Sequence, residues 1–361
     1  MKKLFFALFA AGITLSMQAQ VRNEIHVPDL GGYETLKCDF HMHTVYSDGL
    51  VWPTVRVDEA WREGLDAISL TEHLEYRPHQ KDVTGHHGRS FEVAEGSAKG
   101  HDILLIRGSE ITRSMAPGHF NAVFLNDCNA LDQDDWHDSF KAAKDQHAFI
   151  FWNHPGWDRQ QPDTTLWWKE HTEIYEKGWM QGIEVANGKF YYPEAHRWCL
   201  EKGLTMLGNS DVHNPINLDI EFYKGEHRTM TFVLADERTV DGIREALDNH
   251  RTIVWVNDLL IGEEHWLKEL FEKSVKIIDV KRGKKSCRLV LQNESDLTFY
   301  LKKTEHEKEV EYFREFTIEP QSRSTITVYY PETFEGTGRI NFRVTNLLVQ
   351  PNQGMDYSFS F

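Results

Sequence analysis

From residue 35 to about 260, short apolar runs alternate with helical periods, and past residue 274 the texture changes to seven short strands of alternating pattern. Strands joined by helical segments predict an α/β fold. A β/α barrel, TIM-like but irregular, suits it better than an open sheet, because no glycine-rich phosphate or dinucleotide loop follows the first strand. The later strands, crowded into fewer than ninety residues, predict a small all-β immunoglobulin-like sandwich. The chain therefore divides into residues 1–19, 20–273 and 274–361.

The opening "MKKLFFALFAAGITLSMQAQ" places Lys2 and Lys3 before an apolar run from Leu4 to Leu15, with the small Ala19 before Gln20. That order of basic, apolar and small residues reads as a secretory signal peptide cleaved after Ala19, too short to span a bilayer durably. The mature protein is expected to be periplasmic or secreted, with no transmembrane segment after cleavage.

"TLKCDF" is the first strand. In "WPTVRVDEAWREG", Pro53 suits a first helical turn, Val57, Ala60 and Trp61 share a face, and Gly64 is a stop. "LDAISLTEH" and "DILLIRGSE" return as strands, and "FNAVFL" follows a turn at Pro117 and Gly118. A helix near 132–147, with Trp136, Phe140 and Ala143 on one side, precedes the strand "AFIFWNH". "MQGIEVAN" is a strand, "YPEAHRWCLEKG" a helix closed by Gly203, and "LTMLGNSDVH" a strand. "TVDGIREALDNH" is helical before "RTIVWV", and residues 265–273 form a connecting helix. In the sandwich, Ile326, Val328 and Tyr330 alternate with Thr325, Thr327 and Tyr329, a half-buried pattern.

Net charge is −16 and no Lys/Arg cluster forms a nucleic-acid groove, which excludes a duplex nucleic-acid partner. An anionic ligand would need local positive charge, and the 19 histidines point to bound metal ions as its source. Cys38, Cys128, Cys199 and Cys287 form no C-x-x-C pair. Up to two disulfides are open to them in an oxidising compartment, but Cys38 and Cys199 fall on apolar faces, and buried free thiols are the expectation.

Successive strand residues alternate faces, so Asp39, His41 and His43 in "DFHMHTVYSDG" point one way while Cys38, Phe40 and Met42 point the other. One H-x-H is weak evidence for a metal. The same composition recurs, however, at other strand ends: His73, Glu110, His154, and Asp211 with His213. His119 opens a strand and Asp48 follows the first one. In a β/α barrel the strand C-termini converge on one mouth, so these groups meet there as a candidate metal centre.

In their order, "DFHMHTVYSDG", "TEH", "GSE", "GH", "NHP" and "SDVH" resemble the PHP (polymerase and histidinol phosphatase) family of metal-dependent phosphoesterases over residues 35–260. The resemblance implies a distorted seven-stranded barrel of PHP type whose mouth holds two or three divalent ions. It implies that His41, His43, Glu110 and Asp211 hold one ion, that Glu110 bridges to a second held by His119 and His154, and that Asp48, His73 and His213 hold a third. Glu72 departs from the Asp that many relatives carry in T-D-H.

Imidazoles and carboxylates without thiolate suit Zn, Mn or Fe. The implied reaction is hydrolysis of a small-molecule or polymer-derived phosphate ester by a metal-bound hydroxide. Asp39, Glu72 and Arg113 are the candidate catalytic residues beside the ligands, and Arg113 and Lys189 the candidate substrate contacts. His86, His87 and Arg89 lie in a loop that suits a lid or a cover, and Trp167, Trp168 and Trp179 suit core or ligand stacking. Ser210 lacks a G-x-S-x-G elbow, which argues against a serine hydrolase. Two alternatives stay open: a metal-dependent amidohydrolase, disfavoured by the late Asp211-x-His213 pair, and a cell-envelope binding protein that uses the sandwich.

Overall fold

The computed structural model describes residues 21–304 and 309–361, so the expected signal peptide lies outside the described residues. The first part of the chain runs β1 (Glu34–Asp39), α1 (Pro53–Glu63), β2 (Ala67–Leu70), α2 (Arg89–Gly100), β3 (Leu104–Thr112), β4 (His119–Val123), α3 (Trp136–Asp145) and β5 (Phe149–Trp152). It continues through α4 (Lys169–Glu176), β6 (Gly182–Asn187), β7 (Phe190–Tyr191), α5 (Pro193–Lys202) and β8 (Thr205–Asn209). Then come β9 (Met230–Ala235), α6 (Val240–Asp248), β10 (Thr252–Val256), β11 (Leu259–Gly262) and α7 (Glu264–Ser274).

Local chemistry sets several boundaries. Pro53 opens α1 and Gly64 closes it at φ 89°, a left-handed conformation that favours glycine. Asp135 caps α3 by accepting from the His137 amide, and Thr239 caps α6 by accepting from Gly242.

The main sheet departs from the expected barrel. β1, β2 and β3 are parallel neighbours, as are β5, β6 and β8. β4 runs antiparallel to both β3 and β5, and β9 antiparallel to β1. Residues 113–118 explain the first reversal, since so short a link cannot carry the crossover that a parallel pair needs.

Among the described residues the ladder does not close into a seven-stranded barrel. β8 pairs with β6 and meets the β1 segment through a single bridge, Met42 to Val212. Toward β9 and β10, threonines stand in for the ladder: Thr231 Oγ1 exchanges hydrogen bonds with the amide and carbonyl of Gly208, and Thr252 Oγ1 donates to Met206 O at 2.8 Å. Gly208 permits that approach, because a Cβ there would stand 2.2 Å from Val254 Cγ1.

The strands read from the C-terminal sequence appear as β12 (Val275–Arg282), β13 (Ser286–Asn293), β14 (Phe299–Lys303), β15 (Glu315–Ile318), β16 (Arg323–Tyr329), β17 (Arg339–Gln350) and β18 (Gln353–Ser360). β12, β13 and β16 form one sheet, while β17, flanked by β14 and β18, adds in parallel to β11. One buried cluster runs through both parts, from Val57, Ile68 and Phe232 to Leu289, Phe299 and Leu347. All four cysteines are free and buried. No helix among the described residues is long and apolar enough to cross a membrane.

Candidate metal centre

The segments that follow β1 and β8 lie side by side. His43 N donates to Val212 O at 3.1 Å and Asp211 N to His41 O at 2.9 Å. Phe40 and Met42 turn into the core on one side, which leaves His41 and His43, both fully buried, together on the other with Nε2 atoms 3.1 Å apart. Asp211 Oδ1 stands 3.1 Å from His41 Nε2 and 3.2 Å from His43 Nε2.

Glu110, on β3, occupies the centre. Its Oε1 lies 2.8 Å from His119 Nδ1 and 3.8 Å from His154 Nε2, while its Oε2 lies 2.7 Å from His73 Nδ1 and 3.3 Å from His43 Nε2. On the far side, Asp48 Oδ1 stands 3.3 Å from His73 Nε2 and 3.2 Å from His213 Nε2. The His43 ring is stacked between those of His73 and His213, at centroid distances of 4.3 and 4.2 Å. The structure thus brings all nine expected ligands into one cluster. Their ligand atoms group as His43, Asp48, His73 and His213; His41, His43 and Asp211; His41, Glu110 and His154; and His73, Glu110 and His119.

This cluster is electrostatically incomplete as a set of protein groups. Burial and the neighbouring His213 and His73 push the His43 pKa down to about 3. Burial also opposes charge on His73, but Glu110 and Asp48 outweigh it and raise that pKa to about 10. His41 is raised against burial by Asp211, Glu184 and Glu110, and Glu110 itself is held well below the usual carboxylate range by His73, His119 and His41 despite its burial.

Beyond their contacts within the cluster, Asp48 Oδ1, both Glu110 oxygens, Asp211 Oδ1, His119 Nδ1 and His154 Nδ1 are buried with no hydrogen-bond partner among the described residues. Buried polar atoms are nearly always satisfied, so their concentration in one place fits a site built for cations. The donor set suits Zn, Mn or Fe.

The three expected catalytic groups have other employment. Asp39 Oδ2 accepts from Ser210 Oγ at 2.5 Å and from Arg228 at 3.1 Å, and its Oδ1 accepts from Ser210 N, so it braces the segment that carries Asp211. Glu72 accepts from Thr44 N, Thr44 Oγ1 and Ser47 Oγ; its longer arm fixes the turn that leads to Asp48. Arg113 is neutralised by Glu75 at 2.7 Å and donates to the carbonyls of Gln133 and Asp134. Lys189 lines a small cavity of about 150 Å³ with Ser210 and Asp211, but its ammonium pairs with Glu226 at 2.9 Å. Both expected substrate cations are thereby committed to carboxylates.

The "TGHHGRS" loop covers rather than reaches: His87 bonds Asp132 and Asn129, and Arg89 pairs with Glu92. Trp167 packs on Trp152 and Trp198, and Trp179 on Phe140, as core. Trp168 is partly exposed, and its Nε1 donates to Gln161.

Sequence reasoning missed Glu184. It is fully buried on β6, and its Oε1 stands 2.9 Å from His41 Nδ1 while its Oε2 accepts from His154 N at 2.6 Å. A lone carboxylate inside the apolar run "GIEVAN" was the available signal, since Glu is rarely buried without a partner. A separate cavity of about 950 Å³ opens away from the cluster, between residues 23–26, Trp255 and Asp296.

Comparison with known proteins bears on the whole chain. The DUF5001 family model, an Ig-like domain, matches residues 273–360. No curated protein matches. A two-domain protein from Bacteroides vulgatus, containing a predicted PHP-like metal-dependent phosphoesterase, is 59% identical over 95% of this chain and 100% of its own, with a TM-score of 0.93. A proposed metal-dependent phosphoesterase from Bifidobacterium adolescentis is 15% identical over 59% of this chain and 96% of its own, at a TM-score of 0.40. An amidohydrolase from Chromobacterium violaceum, with bound sulfate and no metal, is 16% identical over 49% and 88%, at 0.38. The last two overlays are too loose to bear on assignment. The first, near-complete at 59% identity, is decisive: the chain belongs to the PHP-like metal-dependent phosphoesterase family, with an Ig-like domain at its C-terminal end.

Proposed function

We propose that this protein is an exported hydrolase of phosphate esters that works with two or three divalent ions, Zn, Mn or Fe. One observation carries the reading: of the nine buried His, Asp and Glu side-chain atoms that lack a hydrogen-bond partner among the described residues, six belong to residues of this one cluster. His41, His43, Glu110 and Asp211 would hold one ion, Glu110, His119 and His154 a second, and Asp48, His73 and His213 a third. Ions bound there supply positive charge that lowers the pKa of water and draws charge from phosphoryl oxygens.

The chain's own residues prepare that chemistry. Glu184 orients His41 through its Nδ1 and leaves Nε2 facing the carboxylates. Asp39 and Ser210 brace Asp211, and Glu72 braces the turn to Asp48. Burial of Glu110, His41 and His43 keeps bulk water from competing for the ligand atoms. The order of residues 1–19 supports export, and residues 20–273 and 274–361 are the proposed catalytic and Ig-like domains, the latter acting as a packing partner.

The test strips metal from the full mature chain, restores Mn or Zn, and compares 4-nitrophenyl phosphate with bis(4-nitrophenyl) phosphate. Metal-dependent turnover of either is the expected outcome, and the ratio assigns mono- or diester preference. No turnover of either by protein shown to hold its metals would overturn the reading.

A further inference from the structure

The loop after β5 is pinned along its length. Trp157 N donates to His154 O at 2.9 Å, Gln160 Nε2 to Arg113 O at 2.9 Å, and Gln161 Nε2 to Pro155 O at 2.6 Å. Gly156 lets the loop lie close to its surroundings, since a Cβ there would stand 2.6 Å from Thr165 Oγ1 and 2.7 Å from the Tyr192 ring.

Two side chains are presented by this fixed loop. The half-buried Trp157 ring has its centroid 5.2 Å from that of His154 and 5.6 Å from that of His119, so it forms a wall of the metal centre. The exposed Arg159 guanidinium stands over that indole, 5.7 Å from its centre, and among the described residues the indole is its only partner. Arg113 and Lys189, by contrast, are each paired with a carboxylate. A guanidinium resting on an aromatic face keeps its planar fork free for bidentate contact with a carboxylate or phosphate. In a chain of net charge −16, an uncommitted cation at the rim is a selective feature for an anionic ligand.

We infer that Trp157 and Arg159 form a second anion subsite beside the metal centre, and that the preferred substrate is a phosphate ester whose alcohol part carries a further anionic group. This rests on the phosphoesterase reading. The scissile phosphoryl group sits among the nine candidate ligands, the alcohol part lies along Trp157, and its distal anion pairs with Arg159. Arg159, not Arg113 or Lys189, is then the residue that selects substrate.

Calorimetry on the Mn-loaded full mature chain tests this with three unreactive probes: benzylphosphonate, 4-carboxybenzylphosphonate and 1,4-xylylenebisphosphonate. At least one doubly functional probe should bind about tenfold or more tighter than benzylphosphonate. That ratio should fall toward one in Arg159→Ala and lie between in Arg159→Lys, which keeps charge but loses the fork. Whichever probe gains more identifies the second anion as carboxylate or phosphate. A ratio near one in the wild type, or one unchanged in Arg159→Ala, overturns the subsite. Phenyl phosphate turnover is measured in parallel: turnover without the affinity gain sinks the subsite and leaves the phosphoesterase reading standing, and the gain without turnover does the reverse.

Discussion

Glu184 Oε1 lies 2.9 Å from His41 Nδ1, with both side chains fully buried, and the same carboxylate accepts the His154 amide through Oε2. One group therefore fixes the tautomer of one candidate ligand and the backbone of another. Asn187 and Asn209 donate to its two oxygens, so its own position is set. Glu184→Gln should lower metal affinity by about 10- to 100-fold, the usual cost of losing a carboxylate behind a histidine ligand. Competition with a chromophoric chelator measures it, and an affinity within twofold of wild type would refute the role.

Arg228 is the second long-range brace. Fully buried, it donates through Nε and Nη2 to Glu63 at 2.6 and 2.7 Å and through Nη1 to Asp39 at 3.1 Å. Arg228→Met would leave two desolvated carboxylates without a cation, a loss of roughly 3–5 kcal/mol. Burial already raises both carboxyl pKa values, against the pull of Arg228. Groups so raised cost least when protonated, so acidification should narrow the gap between variant and wild type. Urea melts at two pH values report both effects, and a loss under 1 kcal/mol at neutral pH would contradict the account.

Removing residues 274–361 should leave the remainder insoluble. β17 adds to β11 in register, Leu260 opposite Leu347, and Phe271 of α7 packs 5.0 Å from Phe299 and 4.7 Å from Tyr357. Truncation would expose both an unpaired strand edge and an apolar helix face, the two features that drive aggregation. A soluble, monomeric truncation product with a cooperative melt would show instead that the Ig-like domain is dispensable to folding.

Local periodicity made much of this legible. Pro53 and Gly64 bound α1 as read, and the i, i+2 spacing of His41 and His43 placed them on one face because strand geometry is set within a few residues. What failed depends on distant partners. Glu184 meets His41 across 143 positions and Arg228 meets Asp39 across 189, so no window of sequence connects them. Arg113 and Lys189 looked available because Glu75 and Glu226 carry no mark of being their partners. The reversals at β4 and β9 likewise follow from link length and sheet pairing, which an alternation of strands and helices does not encode.

Stability should also fall on mild acidification through His171. Its fully buried ring stacks on Trp152 at 3.7 Å, its Nδ1 accepts from Trp168 N at 3.0 Å, and its Nε2–H donates to Pro117 O at 2.7 Å. That pattern requires the neutral tautomer, because a proton on Nδ1 would break the bond to the α4 entrance. Burial pushes the pKa down to about 4, and the carbonyl of Pro117 recovers little of it. In the unfolded chain the ring titrates at about 6.5. The unfolded state therefore binds more protons between pH 6.5 and 4, so this contribution is complete above that window and declines as pH falls through it. Between pH 7 and 5 the decline should be roughly 2 kcal/mol for this residue. His171→Gln, less stable overall, should show a correspondingly shallower pH dependence in urea melts. Comparing slopes cancels the histidines of the metal centre, which titrate in both proteins. Equal slopes would mean that the His171 ring takes up its proton over the same pH range in the folded and unfolded states.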